Sequence, residues 1–289
     1  MKTSYKYGLT LVGICLLLTA CVKNDLFNTP HPTQGAVTIT TDWSAASADA
    51  TQPTEYTLHI GTQSQRATGR TNTFKALLDP GKYDLLVHNN PNGLTISGTQ
   101  ATVNQLSDGS LTLLPDFVFS AATPLMVTND DTLRVDAKMV QNIRTLTLVL
   151  NLDPGDQLRI ASTTATLSGI ASKIDLTSAT VDASGDGSNV KPTFTLRPAT
   201  HASALYVLSA TMRLAGVTNS APQHLYIMVT MNNGTTHAIE TNLTEALKAF
   251  GQATSPLTLD AKIELPATGD FGATITDWNV VEGGNIDIH

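Results

Sequence analysis

The chain has 289 residues, with 17 Lys and Arg against 24 Asp and Glu and a formal net charge of −7. So sparse and acidic a set lacks the clustered Lys and Arg that phosphate backbones or polybasic membrane contacts need, which argues against nucleic acid as a partner. Cysteine occurs only at Cys15 and Cys21, too few for a disulfide framework or a Cys-rich metal site.

Met1 to Tyr7 carry Lys2 and Lys6, Gly8 to Leu18 are almost wholly apolar, and Leu18-Thr19-Ala20-Cys21 follow. A positive start, a short apolar run and a small-residue cleavage site describe a secretory signal over 1–20, and the run is too short to span a bilayer. Leu-Thr-Ala-Cys resembles the lipobox of bacterial lipoproteins. Cleavage is thus expected between Ala20 and Cys21, with Cys21 lipidated. Removing Lys2 and Lys6 leaves 15 basic residues against 24 acidic ones, a net charge of −9. Membrane attachment would then rest on acyl chains such as palmitate, each buried methylene adding about 0.8 kcal/mol.

Residues 21–35 contain Pro30 and Pro32 and no periodic pattern, and read as a lipidated tether. From Ala36 the chain becomes a series of alternating segments. Val37 and Ile39 alternate with Thr38 and Thr40, Tyr56, Leu58 and Ile60 with Thr57 and His59, and Tyr83, Leu85 and Val87 with Asp84, Leu86 and His88. Leu146 to Leu152, Leu225 to Met231 and Leu257 to Leu265 follow the same rule. Period two with Thr and Val enrichment predicts strands with one buried face. Asp79-Pro80-Gly81 and Asp153-Pro154-Gly155 read as type II turns, whose second central residue needs positive φ. Asn233-Gly234 reads as a hairpin turn between two strands. Without crossover helices, many short strands so joined predict an all-β chain of antiparallel sandwiches. One short helix is expected, with Asn242 as cap, Leu243 to Phe250 as its body, Glu245 completing a capping box and Gly251 ending it. A break near 140 divides the chain into an N-terminal domain, 36–140, and a C-terminal domain, 141–289.

The chemistry-bearing motifs are missing. No GxSxG, HExxH, Walker A or strand-linked GxGxxG sequence occurs, so no enzyme activity and no cofactor is expected. The seven histidines, His31, His59, His88, His201, His224, His237 and His289, show no metal-ligand spacing. Asp182-Ala-Ser-Gly-Asp186-Gly187 opens like a calcium loop, but Thr193 stands where the twelfth-position acid should be. A flexible loop is the better reading, and no metal is assigned.

Several pieces together resemble the anchoring (minor) subunits of type V, fimbrillin-class pili. They are the lipobox with Cys21-Val-Lys-Asn-Asp-Leu-Phe-Asn-Thr-Pro-His-Pro32, the first strand ending Asp42-Trp43-Ser44, and Leu78-Asp-Pro-Gly-Lys-Tyr-Asp-Leu-Leu-Val-His-Asn89. The Leu243–Phe250 helix and the ending Ile275-Thr-Asp-Trp278 complete them. The resemblance implies two tandem antiparallel β-sandwich domains of transthyretin-like, Greek-key type, with one short helix in the second. It also implies an outer-membrane lipoprotein at the base of a fimbrium, exposed at the cell surface, with pilin subunits of the same pilus as partners. Stalk subunits of that family lose their first strand to an arginine-specific protease and accept a neighbour's C-terminal strand in its place, whereas anchors keep theirs. The 42 residues between Lys23 and Arg66 contain no Lys or Arg, so a trypsin-like cut cannot release the candidate retained strand Val37, Ile39, Trp43. The C-terminal segment with Ile275, Trp278 and Val280 is either a donor to the adjoining pilin or the last strand of its own domain. Asp131-Thr132-Leu133 resembles an O-glycosylation acceptor. A surface lipoprotein binding glycan or host matrix is the alternative function, and an exposed aromatic cleft would distinguish it.

Overall fold

The computed structural model describes residues 32–199, 204–266 and 272–281. The expected signal, its Ala20–Cys21 cleavage site and the tether as far as His31 lie outside the described residues.

The first half carries β1 (Ala36–Asp42), β2 (Glu55–Ile60), β3 (Gln63–Thr68), β4 (Thr71–Thr73) and β5 (Gly81–His88). It continues with β6 (Leu94–Ser97), β7 (Gln100–Val103), β8 (Phe119–Val127), β9 (Thr132–Lys138) and β10 (Val140–Gln141). The second half begins with β11 (Arg144–Asn151), β12 (Ile160–Ile170), β13 (Lys173–Asp175), β14 (Thr180–Val181), β15 (Ser188–Val190) and β16 (Thr195–Pro198). Then come β17 (Tyr206–Leu214), β18 (His224–Met231), β19 (Thr236–Asn242), a one-turn helix Thr244–Leu247, β20 (Leu257–Glu264), β21 (Thr274–Ile275) and β22 (Asn279–Val280). The protein is all-β, as its alternation predicts.

In the first half the sheet β4-β1-β9 faces the sheet β10-β8-β5-β2-β3; in the second, β16-β17-β11-β20 with β21 and β22 faces β15-β12-β18-β19. Pairing is antiparallel except at two places, where β1 runs parallel to β9 and β11 parallel to β20. Both halves thus lay an early strand beside a late one. A fifth sheet, β14-β13-β7-β6, joins them: β13 pairs with β7 at Lys173↔Thr102 and Asp175↔Gln100. Residues on both sides of 140 therefore share one ladder, and the buried apolar side chains form one continuous cluster.

Alternation becomes burial where one face is solvated. Tyr56, Leu58 and Ile60 of β2 are buried while Thr57 and His59 are half-exposed. The rule lapses in β5, where Leu85, Leu86, Val87 and His88 are all buried; Leu86 and His88 lie at a cleft that Ile96 and Gly98 of the β6–β7 hairpin also line. Of the two Asp-Pro-Gly turns, Gly155 has φ 99° as type II demands, whereas Gly81 lacks positive φ and is already the first residue of β5, paired with Val127. Asn233-Gly234 closes the β18–β19 hairpin, with Gly234 at φ 85°.

The helix departs from expectation. It is a single turn followed by the 3₁₀ turn Phe250–Gln252, which contains Gly251. Asn242 Oδ1 does accept the Thr244 N–H at 2.9 Å, but Glu245 pairs with Lys248 and closes no capping box. Arg144, 106 residues upstream, holds the turn that follows: its Nη1 donates to the Phe250 carbonyl at 2.7 Å while the guanidinium lies 4.9 Å from the Phe250 ring centroid. Its Nε donates to the Ser255 carbonyl. Both carbonyls lie where a helix ending at Phe250 would leave them without an internal partner, and Leu243, Leu247 and Phe250 still reach the core.

Candidate functional site

β1 is built into the first sandwich from both edges. Seven consecutive residues, Ala36 to Asp42, pair with Thr132 to Lys138 of β9, and Thr38 to Thr40 pair with Thr73 to Thr71 of β4. Val37 and Ile39 are 0% exposed, as period two requires when one face of a strand meets the opposing sheet. Polar neighbours tie the outer face: Thr38 and Thr73 hydroxyls lie 3.0 Å apart, and Thr40 and Thr71 hydroxyls 3.1 Å. The chain enters β1 through Gly35, which exchanges backbone hydrogen bonds with Leu78. A Cβ on Gly35 would lie 2.2 Å from the Thr128 carbonyl oxygen and 2.7 Å from Val127 Cγ1. Only glycine fits so close an approach.

Trp43 closes the other end. Its ring meets Phe119 edge-on at 5.3 Å and Tyr56 at 6.0 Å, and its Nε1 donates to Thr41 Oγ1 at 2.9 Å. Beyond it, Asp49 and Gln141 bind the loop back to the fold: Thr145 Oγ1 donates to Asp49 at 2.5 Å, and the Ser47 amide donates to Gln141 Oε1 at 2.8 Å. Val37, Ile39 and Trp43 therefore come together as one unit.

The C-terminal residues lie on the outer edge of β20. Ile275 of β21 pairs with Ile263, and Val280 of β22 with Leu259. Trp278, between them, is half-buried against the core, and its Nε1 donates to Thr241 Oγ1 at 3.1 Å. Each ladder is two residues long. In this monomer the segment closes its own domain, and the described part ends at Val281. Neither tryptophan forms an open aromatic platform. Thr132 of Asp131-Thr132-Leu133 is exposed at the start of β9, its amide bonded to Asp131 Oδ1 at 2.7 Å.

The histidine spacing gave no hint of a pair that the fold creates. His59 on β2 and His88 at the end of β5 meet with Nε2 atoms 3.0 Å apart, on the outer face of the five-stranded sheet. Burial lowers the pKa of both below the ordinary histidine value, and the neighbouring imidazole lowers His59 further. The signal was the β2–β5 register, which sets Thr57 against His88 and makes His59 its diagonal neighbour. Among the described residues no group of three or more His, Cys, Asp or Glu converges as a metal site.

The family model of the fimbrillin-A associated anchor proteins Mfa1 and Mfa2 matches residues 30–283. The chain belongs to this family. Among solved structures, the fimbrial anchor protein Mfa2 of Porphyromonas gingivalis is similar at 10% identity and TM-score 0.56, covering 86% of this chain and 97% of that one. A candidate adhesin of Bacteroides ovatus is similar at 10% identity and TM-score 0.60, covering 89% and 97%. A second candidate adhesin from the same species, strain ATCC 8483, is similar at 14% identity and TM-score 0.55, covering 86% and 95%. These likenesses show that the fimbrial anchor family shares the double-sandwich fold seen here. No curated protein sequence matches the chain.

Proposed function

We propose that this chain is an outer-membrane lipoprotein, held by acyl chains on Cys21, that anchors a fimbria at its base and limits its length. The observation that carries the reading is β1. A subunit that accepts a neighbour's strand needs an open groove, and an extended segment binds there because unpaired backbone and apolar pockets await it. Here β1 already satisfies both β9 and β4 and buries Val37 and Ile39. The absence of Lys and Arg from the 42 residues between Lys23 and Arg66 supports its retention. Such a subunit terminates a chain of strand-accepting pilins.

The partner contact is assigned to the C-terminal segment. Two-residue ladders hold β21 and β22 to an edge, so few bonds oppose their transfer, and Ile275, Trp278 and Val280 supply apolar anchors for a pilin's groove. Glycan or host-matrix binding, the alternative, draws no support from Trp43 and Trp278, both of which pack against the core.

The test is crosslinking and capture from outer membranes through a tag in the 182–189 loop. A lipid-free, N-terminally trimmed pilin in a ladder of sizes is the expected product, together with longer, shed fimbriae in a deletion strain. Recovery of this chain alone, while the pilin is expressed, contradicts the proposal.

A further inference from the structure

His88 is 3% exposed, and its Nδ1 lies 3.0 Å from the carbonyl oxygen of Asn89. A carbonyl oxygen only accepts, so Nδ1 carries the proton and Nε2 presents a lone pair. His59 Nε2, 3.0 Å away, must then be the N–H that donates to it. The rings are 5.0 Å apart between centroids with planes inclined by 17°. Above them opens a cleft of about 890 Å³, walled by Ile96, Gly98 and Thr99 of the β6–β7 hairpin and by Thr177. Two neutral imidazoles thus turn the same nitrogen toward one another at the floor of a solvent-accessible space.

We propose that His59 and His88 form a binding site for a divalent transition-metal ion, Cu²⁺ or Ni²⁺ in preference to Zn²⁺. With metal–nitrogen bonds of about 2.0–2.1 Å, nitrogens 3.0 Å apart subtend roughly 90° at the metal. That is the cis angle of a square-planar or octahedral ion, geometries that Cu²⁺ and Ni²⁺ favour. A tetrahedral ion needs a separation of about 3.3 Å, so Zn²⁺ requires the rings to part. His88 is already in the ligating tautomer, oriented by the Asn89 carbonyl in the manner of supporting groups at metal sites. His59 shifts its proton from Nε2 to Nδ1, and binding releases no proton. Water in the cleft fills the remaining positions, and Asp84 on the same wall adds a negative charge.

The test uses the full chain without an affinity tag, freed of metal by chelator, titrated with Cu²⁺ under electron paramagnetic resonance and with Ni²⁺ by calorimetry. One equivalent of Cu²⁺ with hyperfine splitting from two imidazole nitrogens is expected. His59→Gln, at a half-exposed position, is expected to weaken binding by ~100-fold and remove one nitrogen from the spectrum. His88→Gln, if its circular dichroism matches the parent, behaves the same way. His224→Gln, where the ring pairs with Glu240 at 2.6 Å, leaves both readouts unchanged. Absence of binding, or a spectrum and affinity that survive His59→Gln but not His224→Gln, overturns the proposal.

Discussion

Val37 and Ile39 test whether β1 is a structural member of the first sandwich or a detachable cover. Both are 0% exposed and lie two apart on the same face. Ile39→Ala leaves a cavity and costs about 2–5 kcal/mol, and Val37→Ala removes two buried methyl groups for about 2 kcal/mol. Because they are neighbours the effects need not add, and the double variant is expected to lose roughly 4–6 kcal/mol. Domains are stable by only about 5–15 kcal/mol, so the first sandwich becomes marginal. A urea titration reads this directly. A Trp278→Phe background leaves Trp43, which touches Tyr56 and Phe119, as the one tryptophan, so that the signal comes from the first sandwich. With a slope of about 1–3 kcal/mol per molar urea, the midpoint should fall by more than ~1 M. Met126→Ala, at a position 53% exposed on β8, serves as control and should cost about 0.5 kcal/mol or less. A double variant no less stable than this control would refute the place given to β1.

Gly35→Ala should destabilise the entry to β1 by about 1–3 kcal/mol, since the Thr128 backbone must move away from the new methyl group; thermal unfolding measures it. Arg144→Ala frees the Phe250 and Ser255 carbonyls and removes the cation over the Phe250 ring, for a loss of roughly 2–3 kcal/mol. Its effect should appear in Trp278 fluorescence before that of Trp43. The His59–His88 pair makes the metal-free protein acid-sensitive. Both folded pKa values lie below the ordinary 6.5, so below that pH the unfolded chain binds more protons than the folded one. Stability is full above 6.5 and declines as the pH falls toward the folded values. With chelator present, the urea midpoint at pH ~5.5 should be lower than at pH ~7.5, and His59→Gln should shrink the difference.

Local rules made much of the fold readable. The run Leu257 to Leu265 announced β20 by strict alternation, Leu225 to Met231 proved to lie in β18, and Asn233-Gly234 closed its hairpin. What they could not supply was partnership. β1 lies parallel to a strand that begins 90 residues after it ends, at Thr132, and nothing in either segment names the other. The β13–β7 ladder across the middle of the chain was equally hidden, because strands of three and four residues carry too little pattern. The contact of Arg144 with the Phe250 carbonyl, 106 positions away, was likewise invisible in the local pattern of the helix. His59 and His88 stand 29 positions apart and meet through strand register, which motif spacing does not record. The lipobox reading of Cys21 rests on sequence order alone, and that residue lies outside the described part of the chain.

The central claim is that the chain works with its first strand in place and its N-terminus in the membrane. Peptide mapping and intact mass of the protein extracted from membranes that carry fimbriae address both at once. The account predicts a mature chain beginning at an acylated Cys21, with the segment from Val37 to Trp43 covalently continuous with β2. A mature N-terminus between Ser44 and Glu55, or a Cys21 without acyl chains, would contradict it.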